Sequence, residues 1–258
     1  EAQYQTKLFD RIGRGIVLTA AGKAFLIEAK SILSRVAAAE AVLDDLAGLA
    51  RGTLSLAASQ TIANYWLPAV IHCFNAAHPA ITLTLAIGNT EQVAALVREG
   101  TADLGFVEGS VDEPVLTLQA VADDELVLVG PAGHALCDGA PVTADALRQA
   151  RWVLREQGSG TRAVFESALE RFGLGLADLD IAFDLPSNEA VRSAVEAGAG
   201  VTVVSKLVVA GALKAGTLAA ATISFPSRPF YSLRHKEHHQ TQAVRAFLGL
   251  VGETSAIV

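Results

Sequence analysis

Apolar residues recur at Phe25, Ile32, Val36, Leu43 and Leu46, close to helical spacing, in a stretch rich in alanine and leucine and free of proline. That period predicts one long helix from Ala20 to about Leu49. Thr19 is placed to cap its start, and Gly48 and Gly52 mark its end. A helix of about 30 residues spans roughly 45 Å, too long to lie on a small domain. It therefore reads as a connector or pairing helix, with a plain core helix as the alternative. Just ahead of it, Ile16-Val17-Leu18 reads as a short strand, with Gly13 and Gly15 in the preceding turn.

From Arg51 the pattern switches to short apolar runs alternating with amphipathic ones. Strands are expected at Thr53 to Ala58, Ile81 to Ile87 and Ala102 to Val107, and helices at Tyr65 to Ala77 and Glu91 to Arg98. This order implies right-handed parallel β-α-β units. Further strands follow at Val115 to Val121 and Glu125 to Val129, before a break at Gly130-Pro131. A second set has strands at Trp152 to Leu154, Asp180 to Leu185, Val201 to Val204 and Leu218 to Ile223. Its helices are expected at Thr143 to Gln149, Ala163 to Phe172, Glu189 to Ala197 and Lys206 to Lys214. Pro226 and Pro229 bracket a crossing back to a strand at Phe230 to Arg234 and a closing helix at Thr241 to Val251. The expected fold class is α/β: two lobes with a cleft, joined near Gly130 and Pro226.

The stretch Arg155-Glu156-Gln157-Gly158-Ser159-Gly160-Thr161-Arg162 lies between a predicted strand and a predicted helix. Its glycines allow a tight turn and close approach of a ligand. Ser159 or Thr161 can cap the helix start, whose free amides and dipole favour an anion. Arg162 adds a planar fork suited to an oxyanion. The alternative is an ordinary strand-to-helix turn with a solvated arginine. Ligands in open parallel sheets sit at the carboxyl ends of strands. Four polar segments occupy that position: Ser59-Gln60-Thr61, Asn89-Thr90, Gly158 to Arg162, and Ser187-Asn188.

Net charge is −7 over 258 residues, which argues against broad, non-specific nucleic-acid binding. Hydrophobic residues make up 51% of the chain, enough for a sizeable core. No apolar stretch approaches a membrane span, and the polar start is unlike a secretory signal. Cys73 and Cys137 stand far apart and read as reduced, which fits a cytoplasmic protein. Gly198-Ala199-Gly200 leads into a strand rather than out of one, unlike a dinucleotide loop. His235, His238 and His239 lack carboxylate or cysteine companions at ligand spacing and read as a polar patch rather than a metal site. No nucleophile elbow occurs. Glu156 and Glu108 are the only paired-carboxylate candidates; Glu156 is better read as a partner of Arg155 or Arg162, and Glu108 as a strand end in water. No catalytic residue, metal ligand or cofactor is expected.

Leu8-Phe9-Asp10-Arg11, then Gly13-Arg14, then Leu18-Thr19-Ala20-Ala21-Gly22 resembles the wing of LysR-type transcriptional regulators. In that family a winged helix-turn-helix leads into a long linker helix. Gly100 to Gly105 and Gly198 to Val201 are similar to later family stretches. The resemblance implies a wing remnant at 1–22, a linker helix at 23–51, and a periplasmic-binding-protein-like effector region. Its regulatory subdomain I would be 52–129 with 224–258, and subdomain II 130–223. The family's recognition helix lies outside this sequence, so Arg11 and Arg14 of the wing are the DNA-contacting candidates, and operator readout is not expected of this chain alone. The segment Arg151 to Arg162, with Asn188 and Glu196 to Ser205, resembles a subgroup tied to sulfur oxyanion or carbon-fixation signals.

The expected function is a regulator that senses a small anionic effector, a sulfur oxyanion or small carboxylate, through Ser59, Gln60, Thr61, Asn89, Ser159, Gly160, Thr161, Arg162 and Asn188. It would act as a homodimer or homotetramer, on DNA in the full-length protein. Two alternatives share the two-lobed plan: a solute-binding protein of a transport system, and an enzyme acting on a small anion.

Overall fold

The computed structural model describes residues 1–46, 52–109 and 111–254. A hairpin, β1 (Phe9–Ile12) with β2 (Gly15–Leu18), leads into α1 (Ala20–Leu46). Thr19 caps that helix: its Oγ1 accepts from Gly22 N at 2.9 Å and donates to Lys7 O at 2.7 Å. Gly22 is required there, because a Cβ would overlap the Leu8 carbonyl that closes the hairpin against the helix. The expected helix end at Gly48 and Leu49 lies outside the described residues. Phe25, Ile32, Leu33 and Leu43 of α1 are exposed. This apolar face is not buried within the chain, as a pairing helix requires.

Lobe I begins with β3 (Gly52–Ser59), a π-helical turn (Ile62–Trp66) and α2 (Leu67–Ala77), with Pro68 in its first turn. It continues through β4 (Ile81–Gly88), α3 (Thr90–Arg98), β5 (Leu104–Glu108) and β6 (Leu116–Asp124). β3 runs parallel to β4 and β5, as the β-α-β reading requires. Lobe II holds β7 (Leu126–Pro131), α4 (Ala144–Gln149), β8 (Arg151–Arg155), α5 (Gly160–Glu170), β9 (Asp180–Leu185), α6 (Asn188–Glu196), β10 (Thr202–Ser205), α7 (Lys206–Ala215) and β11 (Leu218–Ala220). The chain then returns as β12 (Arg228–His235), which inserts antiparallel between β5 and β6, and ends in α8 (Gln242–Thr254).

The lobe I sheet has the order β4-β3-β5-β12-β6. In lobe II, β10-β7-β11 and β8-β9 are linked by a parallel bridge from Trp152 to Val201. The chain thus changes sheets at Glu125, ahead of the Gly130 boundary expected from sequence. β7 pairs with β10 from Leu126 onward and with β11 up to Pro131, so the Gly-Pro step ends a strand and does not separate lobes.

Each sheet buries both faces. Trp66, Phe74, Phe106, Phe230 and Phe247 pack one face of lobe I, and Val93, Val97 and Leu233 the other. In lobe II, Trp152 stacks on Phe165 at 4.6 Å on one side, while Val129, Val153 and Val191 fill the opposite side. Two rigid sheets then meet along their carboxyl edges, where the buried polar residues collect.

Candidate functional site

The parallel strands of lobe I end at Ser59, Gly88 and Glu108, and those of lobe II at Arg155 and Leu185. Helix starts follow all of these but Glu108, after which the chain continues into β6. Asn89 forms a capping box with Gln92, with both bonds at 3.0 Å. Ser187 Oγ accepts from Ala190 N at 3.3 Å. These caps hold the polar side chains of both lobes at one seam.

The seam is closed by side chains. Gln60 of lobe I donates through Nε2 to Pro186 O at 2.6 Å and accepts from Asn188 N at 3.0 Å. Asn188 Nδ2 donates to Thr61 Oγ1 at 3.1 Å, and its Oδ1 accepts from Arg155 Nη1. Arg155 grips its neighbour Glu156 with Nε at 2.8 Å and Nη2 at 3.0 Å. Glu156 Oε1 also receives Asn89 Nδ2 from lobe I at 3.3 Å. Burial pushes the Glu156 carboxyl up, but the Arg155 hydrogen bond and charge outweigh it and hold the group below its ordinary value.

Tyr65 makes a further bridge, donating to Glu189 Oε1 at 2.9 Å. Its phenol is pushed up to about 12, first by burial and then by that hydrogen bond and the charge behind it. Tyr65→Phe and Glu189→Ala should each lower the melting temperature slightly, with a coupling of about 1 kcal/mol in a double-mutant cycle. Strict additivity would show that this bridge does not hold the lobes.

A second cluster sits where the chain crosses between lobes. Arg228 and Asp124 form an ion pair, both side chains only 1% exposed. Asp124 Oδ1 accepts from Ser205 Oγ at 2.6 Å, and Arg228 Nη1 donates to Thr161 Oγ1 at 2.8 Å. Burial pushes the Asp124 carboxyl up, against the charge of Arg228 and the hydrogen bonds from Ser205 and Arg228. No motif or spacing marks these two residues as partners. Asp124 falls between two expected strands, and Arg228 between Pro226 and Pro229 at the expected crossing.

The effector candidates singled out from sequence fall into three groups, with Ser59 standing apart from them. Gln60, Thr61, Asn89 and Asn188 lie in the closed seam, bonded to the opposite lobe as described. Ser159, Gly160 and Thr161 are buried at the start of α5. Among the described residues, the Ser159 hydroxyl makes no capping bond. A Cβ on Gly160 would overlap the Glu108 carbonyl oxygen and stand 2.8 Å from Thr90 Oγ1, so α5 starts directly against lobe I. A groove of about 720 Å³ along the flank of α5, lined among others by Thr90, Glu108, Gly158, Ser159 and Arg228, reaches this start from outside.

Arg162 forms a group by itself. It donates to Glu166 at 2.7 Å, to Asp184 at 2.8 Å and to the Arg155 carbonyl at 3.0 Å. Its fork is thus engaged by carboxylates of its own lobe, and the guanidinium at the seam is that of Arg155. Ser59 is 2% exposed, and among the described residues its hydroxyl meets no hydrogen-bond partner. Glu108, expected as a strand end in water, is buried at 3% exposure.

Residues 47–256 match the LysR substrate binding domain family. This chain belongs to the LysR family. It is 32% identical over 250 residues to the HTH-type transcriptional regulator YeiE of Escherichia coli, covering 96% of this chain and 83% of that protein. Identity is also 32%, over 251 residues, to the RuBisCO operon transcriptional regulator of Acidithiobacillus ferrooxidans, covering 96% of this chain and 80% of the other. Among solved structures, the regulatory domain of Synechocystis CcmR in complex with 2-PG superposes with a TM-score of 0.72 at 25% identity. That match covers 80% of this chain and 98% of the other. The fold is therefore the two-lobed effector-binding fold of LysR-type transcriptional regulators, preceded here by the β1-β2 hairpin and α1. No helix among the described residues is long and apolar enough to cross a membrane.

Proposed function

We propose that this LysR-type regulator senses a small anion, a sulfur oxyanion or small carboxylate, in the seam between its lobes. The observation that carries the reading is the Ser59 hydroxyl, buried at the carboxyl end of a parallel strand and without a partner among the described residues. An orphaned buried hydroxyl costs stability, and an effector oxygen arriving at the seam would satisfy it. Thr61, Asn89, Asn188 and the start of α5 would complete the donor set, since each already takes part in polar contacts at the seam. The regulatory domain of the similar CcmR is in complex with 2-PG, which supports a small-molecule effector. The effector works by binding one lobe arrangement better than the other, and no catalysis is part of this reading. α1 would carry the lobe shift, pairing copies into a homodimer or homotetramer through its exposed apolar face. In the full-length cytoplasmic protein, the exposed Arg11 and Arg14 of the hairpin would touch DNA phosphates.

The test is a thermal-shift and calorimetry panel of sulfite, sulfate, phosphate and small carboxylates on the wild-type chain and on Ser59→Ala. At least one anion should raise the melting temperature with concentration. Ser59→Ala should weaken that anion about tenfold, roughly 1.4 kcal/mol, while the anion-free melting temperature holds or rises. Equal affinity in the variant would remove the proposed role of Ser59, and silence of the whole panel would defeat the anion reading.

A further inference from the structure

The Arg155–Glu156 pair has the geometry of a bound ligand, although both partners belong to one chain. Arg155 is 5% exposed and uses two nitrogens on one carboxylate, the usual way a guanidinium holds a free carboxylate or other oxyanion. A buried guanidinium needs an anion beside it, since leaving it unpaired is costly. Glu156, at 25% exposure, sits on the open side of the pair. Its carboxylate is also the group that Asn89 reaches from lobe I, and Asn188 carries the Arg155 contact on to Thr61. One carboxylate therefore satisfies the buried charge and ties the lobes together.

We infer that Arg155 is the anion-recognition residue of the seam and that Glu156 is its built-in competitor, filling the site until an effector anion displaces it. This rests on the sensing role proposed above and adds the counter-charge to it. Displacement moves Glu156 away from Asn89, so arrival of the anion breaks one interlobe bond and offers the anion in its place. The tether also sets a threshold. A neighbouring side chain competes at an effective concentration in the millimolar range or above. Singly charged acetate or chloride is therefore held off, whereas a dianion with several oxygens, such as sulfite or phosphate, can win. Arg162, whose Nη1 holds the Arg155 carbonyl, keeps the loop in place beneath the pair.

The experiment is calorimetry on the whole chain at constant ionic strength, with sulfite, phosphate and acetate as probes, comparing wild type with Glu156→Gln. The glutamine keeps the shape and one acceptor but removes the charge. The variant should bind the effective dianion at least tenfold more tightly and should take up acetate, which wild type rejects. Its melting temperature should be lower in anion-free buffer and recover on adding the dianion. If Glu156→Gln does not accumulate, Glu156→Asp is the second variant: it keeps the charge but shortens the reach to Arg155, and should tighten dianion binding about threefold. Equal or weaker binding in these variants overturns the competitor. If that happens while Ser59→Ala still loses the anion, the sensing role survives without it. Absence of anion binding in wild type and variants alike overturns both.

Discussion

Arg228→Ala is expected to destabilise the chain by about 3–5 kcal/mol, the largest loss of any single change at the seam. The reason is the charge it leaves behind. Asp124 is as deeply buried as its partner, and removing one member of such a pair strands the other in a low dielectric. Among the described residues, Ser205 would then be the side-chain donor left to that carboxylate, and Thr161 would lose the donor that fixes it beside the crossing. Urea denaturation at neutral pH should show a lower midpoint for Arg228→Ala and for Asp124→Ala. Arg228→Met combined with Asp124→Leu should recover much of the loss, because apolar groups of similar volume carry no desolvation cost. A single variant as stable as wild type would mean that the pair is solvated in solution. The double variant also separates stability from signalling. If it folds but no longer responds to anions, the pair serves to align the α5 start with the crossing strands.

The long-range design was legible because it is written in periods and caps. Thr19, expected as a cap, accepts the backbone hydrogen bond at its helix start, and Asn89, Thr143, Ser187 and Ser205 do the same at theirs, whereas Ser159 does not. The apolar runs fall on the two buried sheets for the same reason. The lobe boundary was less legible. Glu125 to Val129 reads as the last strand of lobe I, whereas its pairing with Thr202–Ser205 puts it in the sheet of lobe II. Charged residues at the seam were least legible of all. Arg155 and Arg162 flank the same loop, and the sequence points to Arg162 as the one that meets the anion. Glu166 stands one turn after Arg162, and Asp184 comes from a distant strand, so Arg162 turns to its own lobe. Arg155 ends a buried strand, and its side chain has only the seam to enter. Burial separates the two arginines, and burial depends on which strands are neighbours.

Gly160→Ala is expected to keep the lobes from closing. The added methyl would overlap the Glu108 carbonyl oxygen and crowd Thr90 Oγ1, both in lobe I. One obstacle is backbone in a buried strand, which cannot swing aside as a side chain can. Overpacking of this kind costs about 1–3 kcal/mol. The cost falls on the closed arrangement alone, because the clash is between lobes and the helix accepts alanine readily. Population should therefore shift toward an open form, seen as a larger radius of gyration in X-ray scattering and faster amide exchange around Thr90 and Gly158. The bonds from Asn89 to Glu156 and from Gln60 to Asn188 would loosen with it, since both need the same approach. Anion affinity should fall at least tenfold if the effector needs both lobes. If scattering shows opening while affinity holds, the anion belongs to lobe II alone, with Arg155 as its anchor. Unchanged scattering and affinity together would mean that the start of α5 does not meet lobe I in solution.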